Sequence, residues 1–197
     1  MSKFLVAYTT NSGTTEEVAK AIGEELGRGG AEVEVHRLEE VTNLESYTAV
    51  VVGAPMIMGW HRSAMRFIKK NQEVLSKLPV AYFITAMRLT KTAENAVDSI
   101  PIITDPLIAK PPKNPARLGF KERYSLATNY IRPMLKQAHF VKPISVGIFG
   151  GRLEYYRLKW YQVLFVIAVI QVRPGGSHNW TFIQQWAANL RPLLEKV

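Results

Sequence analysis

The chain has 197 residues, 47% of them hydrophobic, so it is long enough to bury the core of one ordinary domain and too apolar to be a disordered polymer. It contains no cysteine, which excludes disulfides, thiolate catalysis, iron–sulfur clusters and cysteine-based zinc sites. The formal net charge of +9 predicts attraction to a negatively charged partner or surface, such as nucleic acid, anionic lipid or an acidic protein.

The N-terminal residues lead directly into a predicted apolar strand at residues 4–7, which an amphipathic helix follows. The helix carries Val18, Ala19, Ile22 and Leu26 at the spacing of one buried face. Neither the basic region nor the apolar length of a signal peptide precedes the strand, so we expect a cytoplasmic protein.

A hydroxyl-rich loop joins this strand to the helix. Its residues are Tyr8, Thr9, Thr10, Asn11, Ser12, Gly13, Thr14 and Thr15. Hydroxyl groups and unpaired backbone N–H groups at a helix N-terminus form an anion site, which the helix dipole also favours. The loop has no lysine and no G-x-G-x-x-G follows the strand, so neither a nucleotide-triphosphate loop nor a dinucleotide loop fits. The sequence therefore predicts a neutral cradle for a single phosphate monoester, with a simple helix cap as the alternative.

Strands and helices then alternate along the chain. Predicted strands lie at residues 31–36, 49–53 and 80–85, and a predicted helix lies at residues 63–75. The run at residues 49–53 is continuously apolar, as in a central parallel strand that is buried on both faces.

A proline-rich segment at residues 100–119 interrupts this alternation. Its prolines are Pro101, Pro106, Pro111, Pro112 and Pro115. Because proline removes a backbone donor, we expect an extended loop without regular structure, on the surface or over a site. Beyond it we predict a helix at residues 121–138 that is kinked or interrupted at Pro133, a fifth strand at residues 144–149 and a final amphipathic helix through residues 182–194.

These elements predict an α/β fold with a doubly wound, five-stranded parallel sheet and helices on both faces. We expect a single domain, residues 1–197, with a proline-rich insertion at about 100–119 and an apolar and basic insertion at about 152–176. In the flavodoxin-like strand order 2-1-3-4-5, a ligand binds at the carboxyl ends, where the first and third strands meet. This order places residues 9–15 beside residues 54–60, with the loops at 86–91 and 150–153 completing the rim.

Several segments resemble known flavoproteins. The pattern Thr10-x-Ser12-Gly13-x-Thr15 resembles the phosphate loop of flavodoxins, which hold flavin mononucleotide (FMN) there. Residues 53–61 (GAPMIMGWH) and 63–70 (SAMRFIKK) resemble the second FMN loop and following helix of the flavodoxin-like protoporphyrinogen IX dehydrogenases, which are oxygen-independent bacterial enzymes of haem synthesis. Residues 150–160 (GGRLEYYRLKW) and the pair at 179–180 resemble later segments of that family. The similarity covers nearly the whole chain, although the family is shorter at residues 100–119.

The resemblance implies an FMN-dependent oxidoreductase that takes electrons from a reduced substrate, such as a porphyrinogen, and passes them to a quinone or a redox protein. The alternatives are a flavodoxin-like electron-transfer protein without its own substrate turnover and an FMN module that binds a partner. Electron-carrier flavodoxins are typically acidic and stack the flavin between aromatic rings, whereas this chain is basic and residues 86–90 contain no aromatic side chain. A soluble shuttle between basic partners is thereby disfavoured.

The resemblance also implies which residues contact FMN. The phosphate loop contributes Thr9, Thr10, Asn11, Ser12, Gly13, Thr14 and Thr15. The residues expected along the edges of the flavin ring are Pro55, Met56, Ile57, Met58, Gly59, Trp60, Ala86, Met87, Arg88, Gly150, Gly151 and Arg152. Arg152 either balances the negative charge of the reduced flavin or is a surface arginine, and Trp60 either covers the ring or packs in the core.

No catalytic residue is identified by sequence alone, and the candidates are Arg152 and His61. His61 either relays a proton near neutral pH or is a capping or surface residue. The four histidines, at positions 36, 61, 139 and 178, show no metal-ligand spacing, so we expect no metal site. No nucleic-acid-binding module accompanies the basic charge, so no nucleic-acid partner is expected.

The segment at residues 152–173 combines apolar, aromatic and basic residues. Residues 163–170 are all apolar, but a membrane span takes about 20 such residues. The segment is therefore an anchor on an anionic membrane surface, a homodimer contact or a part of the core, and the first two are favoured together over the third. In the first case the protein is peripheral on the inner face of the membrane.

Overall fold

The computed structural model describes residues 2–56, 59–92, 95–152, 160 and 178–196. Its strands are β1 (Lys3–Tyr8), β2 (Glu32–Arg37), β3 (Ala49–Pro55), β4 (Val80–Ala86), β5 (Leu89–Thr90), β6 (Ala96–Val97), β7 (Ile100–Thr104), β8 (Ala109–Lys110) and β9 (Ser145–Gly150). Its helices are α1 (Thr14–Gly27), α2 (Arg62–Lys70), α3 (Gln72–Leu75), α4 (Phe120–Tyr124), α5 (Ala127–Gln137) and α6 (Trp180–Leu194).

Parallel strands form the centre of the main sheet. β1 lies between β2 and β3, with Val6 opposite Val35 on one side and opposite Val51 on the other. β4 and β9 continue the sheet, which gives the order β2-β1-β3-β4-β9. The predicted α/β fold and strand order are therefore confirmed, with β9 as the predicted fifth strand.

The proline-rich segment extends this sheet, so the prediction that it lacks regular structure is wrong for β7 and also for β8. β7 pairs in parallel with β9, and β6 pairs antiparallel with β7, which makes a seven-stranded sheet. Ile100 and Ile102 are buried, whereas Pro101 is exposed. Because side chains alternate across a strand, both isoleucines enter the core while the proline faces outward, and this burial outweighs one missing N–H group. The short strands β5 and β8 pair with each other outside the main sheet.

Helices enclose a hydrophobic layer on each face of the sheet. α1 and α6 bury one layer, which includes Ile22, Phe83 and Trp186. α2, α3 and α5 bury the other layer, which includes Ile68 and Tyr82. Tyr82 and Phe83 are neighbours on β4 and enter opposite layers, as the alternation of a strand buried on both faces requires.

Two predicted helices are each divided in two. The helix predicted at residues 63–75 consists of α2 and α3, which meet at Asn71, where the side-chain Nδ2 donates to the Phe67 carbonyl at 2.8 Å. Such a bond to the backbone competes with the continuing helix. The helix predicted at residues 121–138 consists of α4 and α5, and its interruption lies at Ser125 and Leu126 rather than at Pro133, which is exposed inside α5.

No helix among the described residues is long and apolar enough to cross a membrane. The predicted anchor or dimer segment falls mainly on residues 153–159 and 161–177, which lie outside the described residues. Two predicted flavin contacts, Ile57 and Met58, also lie outside them.

Candidate functional site

Four chain segments converge in one cleft at the carboxyl ends of the parallel strands. They are the β1–α1 loop, the end of β3, the end of β4 and the loop after β9, and the lining residues are Asn11, Ser12, Thr14, Thr15, Pro55, Met56, Thr85, Ala86, Met87, Gly151 and Arg152. The arrangement follows the rule that open parallel sheets bind ligands where the strand order reverses. All of these residues except Thr85 are among the predicted site residues.

The β1–α1 loop forms a tight turn that leads into α1. The N–H of Gly13 donates to Thr10 Oγ1 at 2.9 Å, and Gly13 has a left-handed backbone with φ of 89°. Because Thr10 Oγ1 accepts this bond, its own hydroxyl hydrogen is left to donate to an anion. The amides of the first turn of α1 lack intrahelical partners and add to the same anion site.

One acidic residue of the first turn of α1, Glu16, is paired with two neighbouring cations. Glu16 pairs with Lys20 at 2.9 Å and with Arg37 at 2.9 Å. The hydrogen bond from Lys20 is the main cause that lowers the pKa of Glu16 below its usual value. The ion pairs therefore reduce the repulsion that this carboxylate exerts on an anion at the helix N-terminus.

The hydroxyls of Thr15 and Thr85 are hydrogen-bonded to each other at 2.9 Å in the wall of the cleft. Both side chains are buried, Thr15 on α1 and Thr85 on β4. When Thr85 is the donor, Thr15 retains its hydroxyl hydrogen for an anion in the cleft. Thr85 therefore positions Thr15, a role that the sequence analysis missed because Thr85 lies inside a predicted buried strand.

Thr14 and Gly151 bring the loop after β9 against the β1–α1 loop. Thr14 Oγ1 donates to the carbonyl oxygen of Arg152 and accepts from its N–H group. Because the hydroxyl hydrogen is used in this way, the predicted role of Thr14 in phosphate binding is left to its backbone N–H. A Cβ atom at Gly151 would lie 2.6 Å from Thr14 Cγ2, so only glycine allows this close approach.

A fully buried carboxylate, that of Asp105, supports the rim from behind. Asp105 Oδ1 accepts from the Leu107 N–H at 2.9 Å and from Asn179 Nδ2 at 3.0 Å, and Oδ2 accepts from the Gly150 N–H at 3.4 Å. Asn179 in turn caps α6 by accepting from the Phe182 N–H. Asp105 thus joins the ends of β7 and β9 to the start of α6.

Asp105 was not predicted from sequence because it lies in the proline-rich segment. A usable signal was present, since the β-branched run of residues 102–104 ends directly in this aspartate. A carboxylate that follows a strand lies at the same edge of a parallel sheet as the other site loops.

Trp60 and His61 do not line the cleft. The Trp60 ring packs against Tyr82 with a centroid distance of 5.1 Å, and 8% of its surface is exposed. His61 is the N-cap of α2, where Nδ1 accepts from the Ser63 N–H at 3.2 Å. These contacts correspond to core packing and helix capping, which the sequence left open as alternatives to cofactor and proton-transfer roles.

Six further predicted residues also lie outside the cleft lining, and two of them, Thr10 and Gly13, form the turn of the β1–α1 loop described above. The N–H of Thr9 donates to the Gly53 carbonyl at 3.0 Å and so extends the β1–β3 pairing. Gly59 has a left-handed backbone with φ of 105°, Arg88 is exposed, and Gly150 is buried behind the rim. Of these, Thr9 and Gly150 shape the cleft through backbone hydrogen bonds.

The imidazole of His178 lies near enough to the rim to be affected by the charge of Arg152. It stacks on Trp180 with a centroid distance of 4.3 Å, and its Nε2 lies 3.5 Å from Glu17 Oε2. Burial lowers the pKa of His178, Glu17 opposes this shift, and Arg152 adds to it. The ring is therefore neutral at neutral pH. Among the described residues, no three His, Asp or Glu side chains are placed to hold a metal ion.

Comparison with known proteins places the chain among flavoproteins. The family model described as flavodoxin domain matches residues 5–179, which span every segment that lines the cleft. The chain is 26% identical to protoporphyrinogen IX dehydrogenase (quinone) of Escherichia coli strain K12, over 98% of this chain and 97% of that protein. The corresponding protein of Escherichia coli O157:H7 gives the same values. A solved flavodoxin from the domain Archaea aligns over 98% of this chain and 99% of its own, with 12% identity and a TM-score of 0.48.

Proposed function

The chain belongs to the flavodoxin domain family and is an FMN-binding flavoprotein, and from this premise we propose that it is an oxidoreductase that oxidises a porphyrinogen and passes the electrons to a quinone. The observation that carries the proposal is the cleft in which the hydroxyl-rich loop meets three further loops at the switch point of the sheet. The similarity to the E. coli dehydrogenase over nearly the full length of both proteins supports the reaction class.

The composition of the β1–α1 loop suits the phosphate end of FMN. The loop carries hydroxyl groups at Thr10 and Ser12, the first turn of α1 has backbone N–H groups, and no cationic side chain is present in the loop. Donors of this kind suit one monoester group, whereas a triphosphate requires a lysine. Because Gly151 has no Cβ atom, the loop after β9 can lie close to the phosphate loop.

When bound, FMN supplies the redox chemistry, and the protein supplies position and electrostatics. Met56, Ala86 and Met87 line the cleft with apolar side chains, which exclude water and so strengthen electrostatic interactions inside it. Arg152 places a cation at the rim, where it stabilises negative charge that reduction adds to the ring. Its main chain holds the rim through Thr14, so the charge is presented from an anchored loop.

Protoporphyrinogen IX is the proposed substrate, and a quinone is the proposed acceptor. Both are taken from the name of the E. coli relative. The net charge of +9 is compatible with an anionic substrate, since the porphyrinogen carries two propionate groups.

Membership of the flavodoxin domain family also favours a second candidate, an electron-transfer protein without its own substrate turnover. The basic charge opposes it, as does the burial of Trp60, which leaves no aromatic lid in the described part of the second loop. Turnover of a porphyrinogen separates the two functions. Rapid electron exchange with ferredoxin-like proteins in the absence of such turnover would favour the carrier.

Contact with an anionic membrane surface is a further part of the proposal, because quinones reside in membranes. The basic excess supports it, and the apolar run at residues 163–170 supplies the matching sequence. The protein should sediment with anionic vesicles at low salt and be released as salt screens the charges. Leu164→Ser with Phe165→Ser should abolish sedimentation while FMN stays bound. If the parent does not sediment and this double variant instead dissociates a dimer, the segment is a subunit contact.

The cofactor assignment is tested by identifying the flavin released from the purified protein. We expect one FMN per chain and no requirement for FAD, because the cleft offers a site for a single phosphate group. A flavin-free protein that fails to bind added FMN would exclude the proposed function.

A further inference from the structure

A second, larger cavity lies between α2 and α5, on the far side of the loop that follows β3. Its volume is about 1020 Å³, which is at the upper end of the range for small-molecule sites. Met56 lines the cleft, Gly59 and Trp60 line this groove, and a β-bridge joins Met56 to Trp60. The groove and the flavin cleft are thus lined by neighbouring residues of the same loop. We refer to this cavity as the α2–α5 groove.

Apolar and aromatic side chains line much of the α2–α5 groove. They are Trp60, Met65, Tyr124, Tyr130, Pro133, Met134 and Phe140. Tyr124 and Tyr130 meet edge to face with a centroid distance of 5.5 Å, and burial raises the pKa of Tyr130, so its hydroxyl stays neutral. Phe140 is 53% exposed. Apolar and aromatic walls of this kind suit a ligand with a broad ring system.

The polar part of the groove is cationic. Arg62, Arg66 and Lys69 lie on one face of α2 at the spacing i, i+4, i+7, and Lys136 lies on the α5 side. None of the lining residues is acidic. In the part of the chain that the structure describes, none of these four cations has a carboxylate within ion-pair distance, although most surface cations near α1 and β2 do. The groove therefore presents uncompensated positive charge beside an apolar surface.

We propose that the α2–α5 groove binds the tetrapyrrole, with its ring system on the aromatic wall and its two propionates at the cations of α2; this assignment rests on the proposed function. The side chains that line the groove favour the porphyrinogen over the quinone. A quinone is uncharged and forms no ion pair with Arg62, Arg66 or Lys69, whereas a porphyrinogen is apolar across its ring and anionic at one edge.

The test uses the FMN-loaded protein and protoporphyrin IX, the oxidised and fluorescent form of the ring, in a fluorescence titration at physiological salt. Protoporphyrin IX dimethyl ester, which lacks the two negative charges, is the matched ligand. Arg66→Glu with Lys69→Glu is the groove variant. Lys77→Glu with Lys196→Glu is the control of equal charge change, since both lysines are exposed and neither lines the groove.

We expect the groove variant to bind the free acid about tenfold more weakly than the parent, because two cations become anions and the local charge falls by four units. The ester should bind the parent and the groove variant equally, and the control variant should keep the parent affinity for both ligands. Equal affinity of the parent and the groove variant for the free acid would overturn the assignment, as would an equal loss in the control variant. Equal FMN content and circular dichroism establish that the variants are folded.

Steady-state turnover separates this inference from the proposed function. Charge-dependent porphyrin binding without any turnover would support the groove assignment and contradict the proposed reaction. Turnover of protoporphyrinogen with the same KM in the parent and the groove variant would keep the reaction and overturn the groove assignment. Loss of binding to anionic vesicles in the groove variant, with porphyrin affinity unchanged, would also overturn it and assign these cations to lipid.

Discussion

The hydroxyl of Thr14 and the main chain of Arg152 hold each other across 138 residues of sequence, because Thr14 Oγ1 donates to the Arg152 carbonyl at 2.8 Å and accepts from the Arg152 N–H at 3.3 Å. This pair joins the first turn of α1 to the loop after β9. Only the main chain of Arg152 takes part in this pair, so a substitution of its side chain leaves both bonds in place. The two functions of this residue can therefore be tested separately.

Gly151→Ala tests the close approach of these two loops. We expect it to lower the free energy of unfolding by about 1–3 kcal/mol and to weaken FMN binding, because the new Cβ would lie 2.6 Å from Thr14 Cγ2. Adding Thr14→Ser removes that methyl group and keeps the hydroxyl, and the next nearest atoms, at 3.6 and 3.8 Å, are ordinary contacts. Urea denaturation and FMN titration should show recovery in the double variant. A double variant as impaired as the single one would mean that the glycine is needed for another reason.

The phosphate assignment is tested by Ser12→Ala combined with Thr15→Ala. The expected loss of FMN affinity is a few kcal/mol, taking about 1.5–3 kcal/mol for each hydrogen bond to a charged group. Thr42→Ala with Ser46→Ala removes two exposed hydroxyls in the β2–β3 connection and should leave the affinity unchanged. Unchanged FMN affinity of the Ser12 and Thr15 variant in a fluorescence titration would refute the assignment of this loop to the phosphate.

Arg152→Ala tests whether the cation at the rim tunes the flavin. The midpoint potential should fall, since the reduced flavin loses a stabilising charge, and each 1.4 kcal/mol lost in the two-electron step corresponds to about 30 mV. Arg88→Ala removes an exposed cation that does not line the cleft and should leave the potential in place. The thermal midpoint of the flavin-free protein should hardly change, because exposed charges contribute little to stability. An unchanged potential, or early unfolding, would show that Arg152 has only a structural or surface role.

Asp105→Ala should destabilise the fold strongly because it removes the acceptor from three donors, namely Leu107 N–H, Gly150 N–H and Asn179 Nδ2. We expect the free energy of unfolding to fall by about 2–4 kcal/mol. Asn179→Ala loses one of these bonds and the cap of α6 and should cost about 1 kcal/mol. Equal stability of parent and Asp105→Ala in urea denaturation would contradict the described network.

The sequence identified the central sheet because its strands are short apolar runs at regular intervals, and apolar burial on both faces leaves few alternatives. It could not identify β7, since prolines count against a strand and only the sheet edge shows that Ile100 and Ile102 have a core to enter. The breaks at Asn71 and at Ser125 coincide with side-chain hydrogen bonds to backbone carbonyls, from Asn71 to Phe67 and from Asn129 to Arg123, which periodicity does not detect.

The convergence of the four segments could be predicted, because the topology alone brings the carboxyl ends of the strands together. The individual contacts of the loop residues could not be predicted from the sequence. A threonine in a hydroxyl-rich loop can bind a ligand or another loop, and only the structure shows that Thr14 bonds to Arg152 and Thr15 to Thr85. The α2–α5 groove likewise could not be predicted from the sequence, since it forms where helices distant in the chain face each other.

The most direct test of the account is an anaerobic titration of the FMN-loaded protein with protoporphyrinogen IX, followed by a quinone, while the visible flavin band and porphyrin fluorescence are recorded. We predict that the porphyrinogen bleaches the flavin band as porphyrin fluorescence rises, and that the quinone restores the band. A flavin that stays oxidised in the presence of excess protoporphyrinogen IX, although a chemical reductant bleaches it and the quinone restores it, would contradict the proposed reaction.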